Sequence, residues 1–468
     1  GVANVSSAGD WGVSTGTAWS GGTYGPGLTP GGFPSTGSYY MYRDMDACDS
    51  SSDTIGVGGK KVDDGPTWAI DIGNVLDKGD VKSVSLAAEK VDVNGQINDV
   101  VYAAFELCQD AGGSFNAVLY FDDGDGIPPS AGDNGDYVII FDFKSAQVGE
   151  GSLFQRVGGN WVFQNKDATK IDTFASGLVG EAAINLTTLG ILPGAPGAGG
   201  TPPACRTIQV GGQAATISGY STGSQLKDIV GVTPLDLSNC GPLKVKKLSN
   251  ATDPTTEFGY DVVRANGGAV HDTTLGVSGG AVTTEPDANI KEIDATINVG
   301  ETHTWTNVIS QPNYKITEDA PPVGWALVSI SCTYPNIFAV PVGGVYPTAT
   351  SVIYTANAYT AATFLVPPSF IDLGGASPLT LPAAECTMTN NVTGIKIVKT
   401  GTGDPSTLFN FADNSGTPKV ANLTIVDNPA TTAVVENATT FKYAANTAVV
   451  ITETIPATTP AWTLTSIA

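Results

Sequence analysis

Aspartates crowd into one glycine-rich stretch of this chain. The run Asp122-Asp-Gly-Asp-Gly126 is followed closely by two more aspartates. Clustered carboxylate oxygens in such a loop suit a hard cation, which makes calcium the one candidate cofactor. The candidate ligands are Asp122, Asp123, Asp125, Asp133 and Asp136. The stretch lacks the spacing and closing glutamate of an EF-hand loop, so a solvated acidic turn between two strands is the alternative.

Nucleophile motifs are present but lack the context that catalysis needs. Gly-x-Ser-x-Gly occurs at 219–223 and at 276–280. A nucleophile elbow requires a strand-to-helix turn and a histidine partner, and neither stretch has that surrounding pattern. The two histidines, His271 and His303, sit among threonines and glycines, which predicts surface positions. We therefore predict that the chain is not an enzyme.

Two segments carry a single glutamate in the middle of an apolar strand. Glu318 lies in the first of them and Glu453 in the second. A proline-rich turn follows each strand, and after it comes a second strand that begins with a tryptophan, Trp325 or Trp462. This shared order of strand, turn and strand indicates an internal repeat.

Each glutamate strand is preceded by an apolar strand that carries lysine. Aligning Leu243 with Ile395 also aligns Lys247 with Lys399. The same unit of lysine strand, glutamate strand and tryptophan strand therefore occurs twice.

The bulk composition predicts an all-β secreted protein. The chain has 468 residues with 57 glycines and 29 prolines, which separate short runs of β-branched and aromatic residues. The formal net charge of -23 argues against nucleic-acid partners and anionic membranes. No stretch of about 18 apolar residues is present to span a membrane. Gly1 is not a start residue, which predicts a removed signal peptide.

The order of strands and breakers divides the chain into four parts. Residues 1–35 are predicted to be an N-terminal arm, and 36–240 a larger β-sandwich domain. Residues 241–392 and 393–468 are predicted to be two smaller β-sandwich modules in series. Within the larger domain, residues 224–230 show an amphipathic pattern that predicts a short helix, and Gly158-Gly159 predicts a hairpin turn.

The six cysteines fall into three neighbouring pairs along the sequence. We expect disulfides in that order, which places the chain in an oxidising, extracellular compartment. The pairs are Cys48 with Cys108, Cys205 with Cys240, and Cys332 with Cys386. Six buried thiols in a cytosolic protein are the alternative.

A family resemblance rests on the glutamate motif. The stretch 314–325 resembles the E-box of prealbumin-like (SpaA/CnaB-type) domains of Gram-positive surface proteins and pilins. The strand 385–390 followed by 394–399 is similar to the tandem form of this family in actinobacterial surface proteins. Residues 226–241 resemble the end of the larger N-terminal domain in such proteins. The resemblance covers 241–468 well, 36–240 more weakly, and 1–35 not at all. It implies that 241–392 and 393–468 are two prealbumin/Ig-like β-sandwich modules in series.

The resemblance implies an internal isopeptide bond in the first module. In that family a first-strand lysine attacks a last-strand asparagine while the E-box acid moves protons, which here implies Lys247, Asn390 and Glu318. A buried lysine loses its charge and becomes a nucleophile, and a buried carboxyl can protonate the leaving ammonia. The alternative is an ordinary ion pair between Lys247 and Glu318, since Lys244 and Lys246 leave the register open.

The last module is predicted to be one strand short. Lys399 and Glu453 match the lysine and the acid, but no asparagine acceptor follows them. The gap would be filled by further chain or by the arm of a neighbouring copy, with Asn4 as an intermolecular acceptor. Because head-to-tail donation does not close, it builds a fibre.

These inferences converge on a secreted structural protein of a bacterial surface. The chain is predicted to be a subunit of an extracellular filament or stalk that assembles with itself, head to tail, by donor-strand complementation. The alternative is a cell-surface adhesin whose N-terminal domain binds glycan or protein, with the repeats as spacers.

Overall fold

The computed structural model describes the greater part of the chain between residues 42 and 454. The described residues are 42–45, 53–56, 61–63, 70–73, 79–93, 96–109, 115–123, 135–143, 150–166, 171–176, 178–192, 205–250, 254–279, 290–322, 324–339, 345–355, 358–371, 379–392, 394–399, 408–413, 420–424, 426–427, 434–435, 437–442 and 450–454. The predicted arm 1–35 with Asn4, together with Cys48, Asp125 and Asp133, lies outside them.

The described residues are almost entirely strands, which confirms the predicted all-β class. The first group is β1 (Tyr42–Met45), β2 (Asp53–Gly56), β3 (Ile70–Gly73), β4 (Val81–Val93), β5 (Gln96–Leu107), β6 (Phe115–Asp122), β7 (Tyr137–Phe143), β8 (Glu150–Val157), β9 (Asn160–Asn165), β10 (Ile171–Ser176), β11 (Val179–Asn185), the short helix α1 (Leu186–Leu189), β12 (Thr207–Ile217) and β13 (Leu226–Ser238). Within these residues, no helix is long and apolar enough to cross a membrane.

The strands of the second and third groups follow without any helix in the described residues. The second group is β14 (Cys240–Ser249), β15 (Glu257–Arg264), β16 (His271–Ser278), β17 (Glu292–Asn298), β18 (Thr302–Ile309), β19 (Gln311–Glu318), β20 (Trp325–Pro335), β21 (Thr348–Thr355), β22 (Ala358–Tyr359), β23 (Phe364–Val366), β24 (Phe370–Ile371), β25 (Leu379–Thr380) and β26 (Ala384–Val392). The third group is β27 (Gly394–Lys399), β28 (Leu408–Asp413), β29 (Val420–Thr424), β30 (Val426–Asp427), β31 (Val434–Val435), β32 (Asn437–Lys442) and β33 (Ile451–Thr454).

The first group forms two packed sheets. A five-stranded sheet has the order β1-β4-β5-β11-β10, and a ten-stranded sheet has the order β25-β24-β13-β12-β6-β7-β8-β9. Strand β2 joins the larger sheet beside β13 and strand β3 lies beside β2, whereas β24 and β25 come from the second group. Phe105 and Phe141 meet in the core between them, with ring centroids 6.0 Å apart. Strand β7 is buried on both faces, because Val138 and Ile140 pack into a second apolar cluster on the outer side. This double burial explains its continuous apolar sequence.

One predicted element of this part is wrong. The stretch 224–230, predicted as a short helix, contributes its last five residues to the long strand β13. Strand β13 pairs antiparallel with β12, and Leu226 lies opposite Ile217. The ladder with a neighbouring strand outweighs the weak helical pattern of the segment. The hairpin across Gly158-Gly159 is confirmed: it joins β8 to β9, and both glycines have positive φ, 59° and 81°.

The second group forms a sandwich of a seven-stranded and a four-stranded sheet. Their orders are β16-β18-β14-β26-β20-β21-β22 and β17-β15-β19-β23. Burial alternates residue by residue along β14, β15 and β17, as expected for strands with one face on a core. Trp305, fully buried, lies in that core. The first strand of the group, β14, runs parallel to its last strand, β26.

The third group repeats the pairings of the second. Strand β27 pairs antiparallel with β32 as β14 does with β18. Strand β28 lies between β29 and β33 as β15 lies between β17 and β19. The internal repeat thus extends to the strand pairing. Residues 455–468, where the tryptophan strand of this unit is predicted, lie outside the described residues, and the missing last strand stays a prediction.

Two of the predicted disulfides are present in the described residues. Cys205 pairs with Cys240, at a Cα–Cα distance of 5.5 Å, and ties the approach to β12 to the first residue of β14. Cys332 pairs with Cys386 across the neighbouring strands β20 and β26. Cys108 is also disulfide-bonded.

The start of β14 leaves no room for a side chain at Gly241, which gives a first prediction. A Cβ built there would lie 1.9 Å from the backbone oxygen of Pro367. We expect Gly241→Ala to lower the free energy of unfolding by about 1–3 kcal/mol, because the clashing atom belongs to backbone that cannot rotate away. Thermal denaturation of the full chain measures the change.

The matched control is Gly223→Ala, where the nearest atom to the added Cβ is the Ser221 hydroxyl oxygen at 3.9 Å. We expect its melting temperature to equal that of the unmodified chain. Equal melting temperatures for Gly241→Ala and Gly223→Ala would contradict the close packing at β14.

Candidate functional site

Three polar side chains meet inside the core of the second sandwich. Lys247 comes from β14, Asn390 from β26 and Glu318 from β19 of the facing sheet. The exposed fractions of Lys247 and Asn390 are 0%, and that of Glu318 is 8%. Leu243, Val245 and Lys247 share the inward face of β14, so strand alternation delivers the lysine to the core.

The three side chains form a closed set of hydrogen bonds. The Lys247 Nζ donates to Asn390 Oδ1 at 2.6 Å and also pairs with Glu318 Oε2. The Asn390 Nδ2 donates to Glu318 Oε1 at 2.6 Å. Each carboxylate oxygen of Glu318 thus contacts one of the two groups that the resemblance names as reactants.

Aromatic rings cover the lysine. The Nζ of Lys247 lies 3.9 Å from the ring centroid of Phe258. That ring packs edge-on against Trp325, with centroids 5.3 Å apart. The tryptophan that opens β20 therefore helps to close the site from water, which strengthens every electrostatic interaction inside it.

Burial shifts both titratable groups of the site towards their neutral forms. Removal from water lowers the pKa of the Lys247 ammonium to about 8, against the opposing effect of Glu318. The same burial raises the pKa of the Glu318 carboxyl, although Lys247 and Asn390 oppose the shift. A proton can therefore pass from the lysine to the glutamate at modest cost, leaving a neutral amine beside a carboxylic acid.

This arrangement is suited to attack of an amine on an amide. The lone pair of a neutral Lys247 Nζ can form a bond to Cγ of Asn390, while the Cγ–Nδ2 bond breaks. The Glu318 carboxyl gives its proton to the leaving nitrogen and takes one from the attacking nitrogen. One amide is exchanged for another, one ammonia leaves, and no oxidant or outside reactant is required.

A second buried polar group lies beside the site and was missed from the sequence. His303 has an exposed fraction of 0%, so the predicted surface position is wrong. Its Nδ1 lies 3.0 Å from the Tyr260 hydroxyl, which accepts a hydrogen bond from Trp305 Nε1 at 2.9 Å. The sequence did contain a signal for this burial: His303 lies two residues before Trp305, and this spacing places both side chains on the inward face of β18. His271, also predicted on the surface, is buried as well.

The acidic stretch brings three of its five predicted ligands together. Carboxylate oxygens of Asp122, Asp123 and Asp136 all lie within 4.8 Å of one another. Asp136 also accepts hydrogen bonds from the Tyr120 hydroxyl and, at 3.2 Å, from the backbone N–H of Asp123. The oxygens are close enough to share one cation, and calcium stays a prediction.

The lysine and glutamate of the third group lie on different sheets, as in the second group. Lys399 ends β27, opposite Asn437 of β32. Glu453 lies in β33, opposite Phe411 of β28, as Glu318 lies opposite Tyr260 of β15. The intermolecular acceptor Asn4 is outside the described residues.

Comparisons with known proteins yield structural overlaps only. No family model and no curated protein sequence matches the chain. The major pilin T-13 of Streptococcus pyogenes is 11% identical over 60% of this chain and 90% of that chain, with a TM-score of 0.20. The T3.2 pilin of the same species is 10% identical over 65% and 94%, with a TM-score of 0.23. The major pilin subunit of Bacillus cereus is 12% identical over 61% and 67%, with a TM-score of 0.19. Values this low do not establish a shared fold.

The closed hydrogen-bonded set predicts a covalent product. After reduction of the disulfides, we expect the full chain to weigh about 17 Da less than its sequence, the mass of one ammonia. Lys247→Met and Asn390→Ala each remove a reactant, and Glu318→Gln removes the proton carrier. All three should carry the full mass in intact-mass spectrometry.

Lys246→Met is the control, because this neighbouring lysine points away from the core. It should keep the lower mass. Peptide mapping locates the bond: a branched peptide must join Lys247 to Asn390. Full mass for the unmodified chain, with the two residues in separate peptides, would contradict the prediction.

Proposed function

We propose that this chain is a secreted structural protein of a bacterial surface, a subunit of an extracellular filament or stalk. We further propose that an amide between Lys247 and Asn390 locks its 241–392 module. The observation that supports this is the buried set in which Lys247 of the first strand and Asn390 of the last strand both contact Glu318 of the facing sheet. A covalent bond at this position is useful to a protein that is pulled by its ends.

The strand order explains why the bond position matters under tension. Force on the ends of the module enters at the start of β14 and leaves at the end of β26. These strands are parallel neighbours, so the pull shears the ladder between them. A bond from Lys247 to Asn390 passes the force directly from one strand to the other. The 143 positions that separate these residues then carry no load.

The disulfides complement the amide. The bond between Cys332 and Cys386 fastens β26 to β20 on its other side. The bond between Cys205 and Cys240 reinforces the point where the chain enters β14. The last strand of the module would thus be covalently joined to both neighbours, one link being reducible and the other not.

For assembly we propose head-to-tail addition of a strand from the N-terminal arm of one copy to the last module of the next. The repeated pairing of β27 with β32 and of β28 with β33 supports this, because it gives the third group the early strands of the same sandwich. An exposed sheet edge is a template for another chain. Lys399, Glu453 and Asn4 would then make the contact covalent.

The adhesin alternative receives no comparable support. The exposed aromatic residue Phe163 lies on the strand β9, and its neighbour Trp161 donates its indole N–H to Val62 O at 3.1 Å. Trp161 also packs against the Arg156 guanidinium at 5.4 Å. Trp161 therefore makes its contacts within the protein and does not offer a free ring to a ligand, so we propose the structural role alone.

Stretching single molecules tests the mechanical role. Under reducing conditions, the segment between Lys247 and Asn390 should not extend when the unmodified chain unfolds, because the amide joins its two ends. Asn390→Ala should release it, adding about 500 Å of contour length at ~3.5 Å per residue. Lys246→Met should behave as the unmodified chain. The mechanical role is refuted when the unmodified chain also releases this length.

Removal of residues 1–35 tests the assembly. We expect the full chain to form filaments in electron micrographs and the truncated chain to stay monomeric, because it lacks the donated strand. Asn4→Ala should still form filaments, but these should dissociate in denaturant, since only the covalent acceptor is lost. Filaments of normal length from the truncated chain would overturn donor-strand assembly.

A further inference from the structure

One hydroxyl group holds the backbone that carries Glu318. The Tyr359 hydroxyl accepts a hydrogen bond from the backbone N–H of Glu318 at 2.9 Å. It also donates one to the backbone oxygen of the same residue at 3.1 Å. A single side chain therefore bonds both backbone groups of Glu318, as a neighbouring strand would.

A neighbouring strand is lacking at this position within the described residues. On one side, β19 pairs with β15 along its length up to Glu318, which lies opposite Tyr260. On the other side, its pairing with β23 involves Gln311 and Tyr314 and ends there. The end of β19 that carries the acid is thus held on that side by Tyr359.

Tyr359 is itself held in a short hairpin of the opposite sheet. Strand β22 pairs with β21, where Tyr354 lies opposite Tyr359 and their rings meet edge-on at 4.9 Å. The next residue, Thr360, donates its backbone N–H to Ile353 O at 2.8 Å and its hydroxyl to Val352 O at 2.8 Å. The hydroxyl of Tyr359 therefore has a fixed position relative to the seven-stranded sheet, which also carries Lys247 and Asn390.

We propose that Tyr359 is a positioning residue for the crosslink, fixing the backbone of Glu318 so that its two oxygens meet Lys247 and Asn390 together. This inference rests on the proposed amide bond. Glu318 reaches the site from the facing sheet, whereas both reactants share one sheet. A small slide between the sheets would separate the acid from one reactant. Tyr359 bridges the two sheets at this residue, and misplacement of a proton carrier by about 1 Å can slow a reaction a hundredfold.

The role is separable from stability. Tyr359 has an exposed fraction of 45%, so exchanging it for phenylalanine removes the hydroxyl without opening a cavity in the core. Tyr354→Phe is a matched control, because it removes a hydroxyl from the ring that packs on Tyr359 and leaves both bonds to Glu318 in place.

The experiment follows crosslinking in newly made full-length chains. Chains are made in a short pulse of cell-free translation, and samples are quenched in denaturant at increasing times. The branched Lys247–Asn390 peptide is then quantified by mass spectrometry. We expect Tyr359→Phe to slow its appearance at least about fivefold, with Tyr354→Phe at the unmodified rate. Equal rates for Tyr359→Phe and the unmodified chain would overturn the role of Tyr359.

The pH profile of the rate distinguishes positioning from a loss of stability. The titratable groups around Glu318 are Lys247 from β14, Tyr260 and Asp261 from β15, the adjacent Asp319, and Tyr359. Burial raises the pKa of Glu318, and water admitted at the freed edge would lower it again. The alkaline fall of the rate should therefore begin at lower pH in Tyr359→Phe. The destabilised variant Gly241→Ala should keep the normal profile.

The two possible failures differ in outcome. When the unmodified chain forms no branched peptide at any pH, the proposed amide falls and the role of Tyr359 with it. When the unmodified chain forms it and Tyr359→Phe matches both its rate and its pH profile, the amide stands and only the positioning role falls.

Discussion

The second sandwich depends on how a lysine can be buried completely. A charged ammonium in an apolar core is very costly unless it is paired or neutralised. Lys247 lies under Phe258 with no exposed surface, and its ammonium donates hydrogen bonds to Glu318 and Asn390. Burial favours the neutral forms of both the lysine and the glutamate. An amide between the lysine and the asparagine would remove the problem permanently, because it has no proton to gain near neutral pH.

Strand register places these groups with little freedom. Side chains alternate along a strand, so a shift of one residue in β14 would turn Lys247 outward and bring Lys246 into the core. The parallel pairing of β14 with β26 then brings Lys247 beside the strand of Asn390, and Ser249 lies opposite that asparagine. The acid comes from the facing sheet and contacts both reactants across the core. This geometry explains why a tether such as Tyr359 between the sheets matters.

Much of the strand structure could be predicted from the sequence, because apolar and polar residues alternate along a strand that has one face on a core. Lys247 was named by the family resemblance, and the sequence left its register open because Lys244 and Lys246 lie beside it. In the structure Leu243 and Val245 face the core, so the alternation along β14 turns Lys247 inward as well. The same alternation should have placed His303 inside with Trp305, but its polarity and the threonines around it concealed this. Tyr359 gave no local signal: it lies 41 positions from Glu318, and its role depends on where β23 stops pairing. The helix predicted for 224–230 was wrong for a related reason, since pairing with β12 decided the conformation of this segment.

The repeat shows which features belong to the fold and which to the site. Strands β27, β28, β32 and β33 reproduce the pairings of β14, β15, β18 and β19, with Lys399 in β27 and Glu453 in β33. In both units the lysine and the acid belong to different sheets, so neither can meet the other until the sheets have packed. A reaction that needs both is therefore delayed until folding has brought the core together. The amide would then record a correctly folded module, because a misregistered one would leave the amine, the acid and the asparagine apart.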